Sequence, residues 1–179
     1  MSDVTTFRYG RTFDLFDVNG NNAIGSDDMA ALATGIAQAH NLPDDSAKGR
    51  ALRDAYRQLW EILRRYADAD ANGRITRDEF IEAMGNGLSS AGQFTRSLDD
   101  AMDAEFAVID ANDDGRIDQA ELRAALESAG LTAEEAGVTA GKIDADGDDV
   151  VSREEYRAAW TRYYLEGDPE VDMFLGGSR

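Results

Sequence analysis

Cysteine is absent from the 179 residues, so disulfides, thiolate nucleophiles and cysteine-ligated metals are excluded. Histidine occurs once, at His40, beside the end of an expected helix, and reads as an ordinary surface residue. Lysine occurs only at Lys48 and Lys142. Positive charge as a whole is scarce: 18 basic residues face 36 acidic ones, for a formal net charge of -18. Such a field repels nucleic acid and anionic membrane, so neither is an expected partner, and it favours cations. No apolar run approaches membrane-spanning length, and the opening "MSDVTTFRYG" has no signal-peptide core. The expectation is a soluble, monomeric, cytoplasmic protein. Apolar residues are not lacking: at 42% of the chain, with two Trp, seven Phe and six Tyr, they can fill a core and exclude wholesale disorder.

One acidic stretch recurs four times, as "DVNGNNAIGSDD" at 17–28, "DADANGRITRDE" at 68–79, "DANDDGRIDQAE" at 110–121 and "DADGDDVVSREE" at 144–155. Each copy opens on Asp, carries Asp or Asn at its third and fifth places, and closes on an acid at its twelfth. The eighth place is apolar: Ile24, Ile75, Ile117 and Val151. Like charges packed this densely repel one another unless a cation sits among them. The pattern resembles the EF-hand calcium loop, in which a hard cation takes oxygens from positions 1, 3, 5, 7 and 12.

That scheme nominates Asp17, Asn19, Asn21, Ala23 and Asp28 in the first loop and Asp68, Asp70, Asn72, Arg74 and Glu79 in the second. In the third it nominates Asp110, Asn112, Asp114, Arg116 and Glu121, and in the fourth Asp144, Asp146, Asp148, Val150 and Glu155. Position 7 uses its backbone carbonyl, so Ala, Arg and Val are all allowed there. The apolar eighth residue faces the core, and its backbone pairs with the same position of a partner loop. Ile24 is thus expected opposite Ile75, and Ile117 opposite Val151.

The loops are not equal. Position 6 needs a left-handed backbone, for which loops two and three have Gly73 and Gly115. Loops one and four carry Asn22 and Asp149, the residue types that tolerate that region best after glycine, and place Gly20 and Gly147 at position 4. Asp28 is one methylene shorter than the Glu usual at position 12, so loop one is expected to be weakest and to admit Mg²⁺ as a competitor. Counting Asp118 at position 9, loops three and four each offer four carboxylates and should fill first.

Apolar residues three and four apart flank the loops, including Phe13 and Phe16 before the first and Phe106 and Ile109 before the third. Before the second loop the stripe is read as Leu59, Leu63 and Tyr66, with Arg64 and Ala67 at the usual flank places. Long helices broken at "NLPDDSAKG" (41–49) and a Gly/Ser loop at 85–93 argue against a dumbbell with one charged connecting helix.

The wide first spacing, the opening "FDLFDVNGNNAIGSDD" and the short tail resemble the sarcoplasmic calcium-binding proteins, the bacterial calerythrins above all. The resemblance covers nearly the whole chain. It implies an all-α fold of four helix–loop–helix hands in two pairs, residues 1–88 and 97–167, forming a compact globule that buffers or transports calcium. Calerythrin-like proteins commonly have a degenerate second hand, whereas this one has every ligand residue, so three or four bound Ca²⁺ are expected. A calcium sensor exposing an apolar groove to a partner protein is the alternative, but its usual Met-rich surface is missing, the five Met being scattered. A photoprotein-like ligand carrier would call for several histidines. Nothing indicates an enzyme, because every acid cluster is explained by metal. In the tail, Val171, Met173, Phe174 and Leu175 after Asp168-Pro169 are apolar, and Met173, Phe174 and Leu175 are expected to fold back on the core near the long helices of residues 29–67, as part of a segment spanning 168–179.

Overall fold

A computed structural model describes residues 3–43, 45–128 and 131–162. The tail and Tyr163 lie outside the described residues. The helices are α1 (Asp3–Phe16), α2 (Ser26–Ala39), α3 (Ala47–Ala67), α4 (Arg77–Gly85), α5 (Gly92–Ile109), α6 (Gln119–Ser128), α7 (Ala133–Ile143) and α8 (Arg153–Thr161). Two-residue strands β1 (Ala23–Ile24), β2 (Ile75–Thr76), β3 (Ile117–Asp118) and β4 (Val150–Val151) sit inside the four loops. β1 pairs antiparallel with β2 and β3 with β4, placing Ile24 opposite Ile75 and Ile117 opposite Val151, as the repeat predicts. All four of these side chains are fully buried.

Local chemistry sets the helix boundaries. Thr76, Thr132 and Ser152 each accept a hydrogen bond from an amide three residues on, and the Glu at that place bonds back to the cap. Each reciprocal pair satisfies two of the amides left over at a helix start. Ser46 caps α3 in the simpler way, accepting from the Gly49 amide.

The two pairs of hands share a core. The most extensive helix contact is α3 against α5, which crosses from the first pair to the second, and α2 also packs on α3. The halves repeat one packing scheme. Phe80 meets Phe13 and Phe16 edge-on, at ring centroid distances of 6.0 and 6.3 Å, and Tyr156 meets Phe106 edge-on at 5.9 Å. Arg77 and Arg153, each opening a helix after a loop, lie over the Phe13 and Phe106 rings at 4.8 and 4.4 Å.

The stripe before loop two needs correction. Leu59 and Leu63 are buried, but Tyr66 is half exposed and donates its hydroxyl to Gln93 at 3.1 Å. Ala67 is buried instead, together with Leu52, Tyr56 and Trp60. Because α3 packs against both α2 and α5, it buries a broader face than a single three-four stripe describes.

Candidate metal centres

Each loop is already folded as a cradle. The acid at position 1 ends the incoming helix and turns both oxygens onto the amides at positions 5 and 6. Asp17 accepts from Asn21 and Asn22 at 3.0 and 2.8 Å, and Asp68 from Asn72 and Gly73 at 3.0 Å each. Asp110 accepts from Asp114 and Gly115 at 3.1 and 2.9 Å, and Asp144 from Asp148 and Asp149 at 3.2 and 3.1 Å. The position-3 side chains accept from the position-5 amide: Asn19 from Asn21, Asp70 from Asn72, Asn112 from Asp114 and Asp146 from Asp148. Position 5 does the same for position 7, with Asn21, Asn72, Asp114 and Asp148 accepting from Ala23, Arg74, Arg116 and Val150. The twelve-residue turn thus coils its oxygens inward on its own amides.

The closing acid has two jobs. One oxygen caps the outgoing helix, accepting from the position-9 amide: Glu79 from Thr76 at 2.8 Å, Glu121 from Asp118 at 3.0 Å and Glu155 from Ser152 at 2.9 Å. Its other oxygen crosses the loop to the position-2 amide, of Ala69, Ala111 or Ala145, at 3.0–3.1 Å. Asp28 keeps the first contact, to Gly25 at 2.8 Å, but its second reaches Asn19, one residue further round, at 3.2 Å. The shorter side chain is drawn completely inside, with no exposed surface. Glu121 and Glu155 share that position-3 contact, from Asn112 and Asp146 at 3.3 and 3.4 Å, so what loop one lacks is the contact at position 2. Burial pulls the Glu79 and Glu155 carboxyls upward, but the hydrogen bonds from Thr76 and Ser152, with those across the loop, outweigh it and leave both lowered.

Backbone conformation reveals a rule missed in the sequence. Positions 4 and 6 both adopt positive φ in every loop, from Gly20 and Asn22 at 67° and 64° to Gly147 and Asp149 at 74° and 67°. The second loop has Ala71 at 58° before Gly73, and the third has Asp113 at 60° before Gly115. Each loop has a single glycine for its two left-handed positions, and the loops differ in which position receives it.

The donor set suits a hard cation. Carboxylate oxygens of Asp68, Asp70 and Glu79 lie within 4.8 Å of one another, as do those of Asp144, Asp146 and Asp148. Asp17, Asp110 and Asp144 at position 1 and Asp28 at position 12 are all buried, and a buried carboxylate needs a compensating charge. Asp118, counted from sequence as a position-9 donor, uses one of its oxygens to cap α6 through the Ala120 and Glu121 amides at 2.8 Å. A basic group also reaches loop three from the other half. Lys48 of α3 bonds the Asp110 carbonyl at 2.6 Å and pairs with Asp113 at 2.7 Å.

A second polar feature escaped the sequence reading. Glu105 projects from the apolar face of α5, is buried, and accepts from the hydroxyls of Tyr56 and, at 3.0 Å, Tyr156. Burial pushes its carboxyl up to about 7 against the lowering effect of those two bonds. The signal was available: 98, 101, 102, 105, 106 and 109 form one buried helical face, and position 105 is its lone acid. His40, read as a surface residue, is partly buried beside the same region, and that burial lowers its pKa.

Comparison with known proteins agrees with this geometry. Residues 8–85 and 98–161 match the EF-hand domain pair. Calerythrin of Saccharopolyspora erythraea is 27% identical over 172 residues, covering 95% of this chain and 97% of that protein. A probable calcium-binding protein of Oryza sativa subsp. japonica is 31% identical over 154 residues, covering 85% and 76% respectively. Among solved structures, a Streptomyces coelicolor calcium-binding protein, described in connection with prokaryotic calcium-mediated regulation, superposes with a TM-score of 0.75 at 29% identity, covering 89% of this chain and 97% of that one. These relatives are calcium-binding proteins. With paired hands matched in both halves and four cradles of inward-turned oxygens, the chain belongs to the EF-hand family of calcium-binding proteins.

Proposed function

We propose that the protein is an intracellular calcium buffer or transporter taking up three or four Ca²⁺. The ligands assigned are the side chains at positions 1, 3, 5 and 12 of each loop and the carbonyls of Ala23, Arg74, Arg116 and Val150. Bound Ca²⁺ would supply the positive charge that the converging acids lack. The hand pairs 1–88 and 97–167 are the units of binding in this reading, since each couples its two loops through one bridge. Loop two is included because Asp68, Asp70 and Glu79 converge as closely as the acids of loop four. Loop one is the site where Mg²⁺ competes, because the shorter Asp28 closes the loop without the contact at position 2.

The observation that carries buffering is the α3–α5 contact. A sensor separates apolar faces on binding calcium, whereas here the central helices of both pairs are packed on each other. The sensor reading is favoured by one feature, an apolar cavity that opens between α2, α6 and α8, and by the regulatory setting of the Streptomyces relative. Calorimetric titration with calcium, repeated in millimolar magnesium, and calcium-dependent retention on a phenyl column separate the two. Three or four ions with no retention is the expected result. Two or fewer ions overturns the site assignment, and strong calcium-dependent retention overturns buffering.

A further inference from the structure

A cavity of about 330 Å³ lies where the two hand pairs meet. Leu32 and Ile36 of α2, Leu122 and Leu126 of α6 and Trp160 of α8 form its apolar walls, and Glu105 lies in its lining. The volume is at the small end of the range for small-molecule sites, roughly 300–1,000 Å³. Its lining has no lysine or arginine among the described residues. Among the described residues, the other ionisable groups facing it are His40, which burial holds toward the neutral form, and the phenols of Tyr56 and Tyr156. We propose that this cavity binds a small organic ammonium ion with an apolar body, its charged head on Glu105 and its body against Leu32, Ile36, Leu122 and Leu126.

Three observations converge on that class. Glu105 is buried, at 5% exposure, and is held from opposite halves of the molecule, by Tyr56 of α3 and Tyr156 of α8. Two phenols orient a carboxylate but do not neutralise it, and a carboxylate has capacity for about four hydrogen bonds, leaving acceptor sites for an ammonium. Aromatic side chains lie near the acid: Tyr56 and Tyr156, which donate their hydroxyls to it, and Trp160 all line the cavity, with Tyr156 and Trp160 edge-on at 6.2 Å. Aromatic rings around a carboxylate attract an organic cation through both ring quadrupole and charge. An anion meets the opposite field, and a neutral apolar molecule leaves the buried acid uncompensated. The raised carboxyl agrees with this, since an acid near 7 is one whose ionised form lacks a cationic partner. The four calcium loops need none of these residues.

The test uses the full-length chain at saturating calcium and three probes of one shape: 1-naphthylmethylamine, 1-naphthylmethanol and 1-naphthoate. Binding is followed by calorimetry and by tryptophan fluorescence. The amine should bind at least about tenfold more tightly than the alcohol, the equivalent of one charge-assisted contact, and the carboxylate should bind least. The affinity of the amine should rise between pH 6 and pH 8 as Glu105 ionises. Glu105→Gln should reduce the amine to the level of the alcohol and abolish the pH dependence, while an unchanged calcium stoichiometry in that variant checks that the fold survives the substitution. Equal binding of amine and alcohol, or a preference that survives in Glu105→Gln, overturns the proposal. So does the absence of binding by all three probes. A double variant, Phe174→Asp with Leu175→Asp, covers the remaining occupant: amine binding that appears only there means that the chain's own tail fills the cavity, and the proposal fails.

Discussion

Replacing Glu105 with Gln should make the protein more stable at neutral and alkaline pH, although it removes a hydrogen-bonded acid from the core. Burial raises this carboxyl from 4.5 to about 7, beyond what the bonds from Tyr56 and Tyr156 recover. The folded chain therefore holds the proton more tightly than the unfolded one. Below pH 4.5 the group is neutral in both states and costs nothing. As pH rises from there through 7, ionisation in the unfolded state draws stability away, and above 7 the loss is complete. Raising the carboxyl from 4.5 to about 7, at about 1.36 kcal/mol per pH unit, is a loss of about 3 kcal/mol. Gln has nearly the same shape and stays neutral, so the variant escapes that loss. Urea denaturation of both proteins at fixed saturating calcium, from pH 4 to pH 8, isolates the effect, because the loop acids titrate alike in both and cancel. The difference in unfolding free energy should move in the variant's favour by about 3 kcal/mol across that range. A difference that stays flat with pH, or moves in favour of the native protein, refutes the account of Glu105 as an uncompensated buried acid.

Left-handed positions offer a second test. Ala71 sits at φ 58°, so Ala71→Gly should stabilise the second hand by about 1–2 kcal/mol. Gly73→Ala should destabilise it by a similar amount through backbone strain alone, since a Cβ there meets nothing within 4 Å. Thermal melts of both variants check the pair, and a neutral Gly73→Ala contradicts the strain argument. In loop one, Asp28→Glu should restore the cross-loop contact seen in the other three loops and raise the preference for Ca²⁺ over Mg²⁺ at that site. Calorimetry with each metal reads it, and an unchanged ratio shows that Asp28 already closes fully on Ca²⁺ without that contact.

The hands were legible because calcium chemistry demands particular residues at fixed local spacing, which a linear scan detects. The pairing of Ile24 with Ile75 and of Ile117 with Val151 followed from the same repeat. The second left-handed position did not follow, since Ala71 and Asp113 carry no mark of their backbone and are forced there by the coiling of the loop. Periodicity also misplaced Tyr66. A helix packed on two neighbours buries more than one stripe, and which flank is covered depends on tertiary contacts that no local window contains. Glu105 was visible as an acid in an apolar face, but its phenol partners lie 49 and 51 residues away in sequence.

The packing of α3 on α5 bears on the time course of calcium release. An ion leaves when its loop loosens, and each loop is braced by helices that lead into this shared core. Loosening one hand strains contacts that the other pair also uses, so escape from any site draws on motions of the whole molecule rather than of one hinge. In the buffer proposed above, ions held in this way would leave slowly compared with those in a hand that can swing open alone. Such a store would follow the average level of calcium around it and smooth over brief pulses.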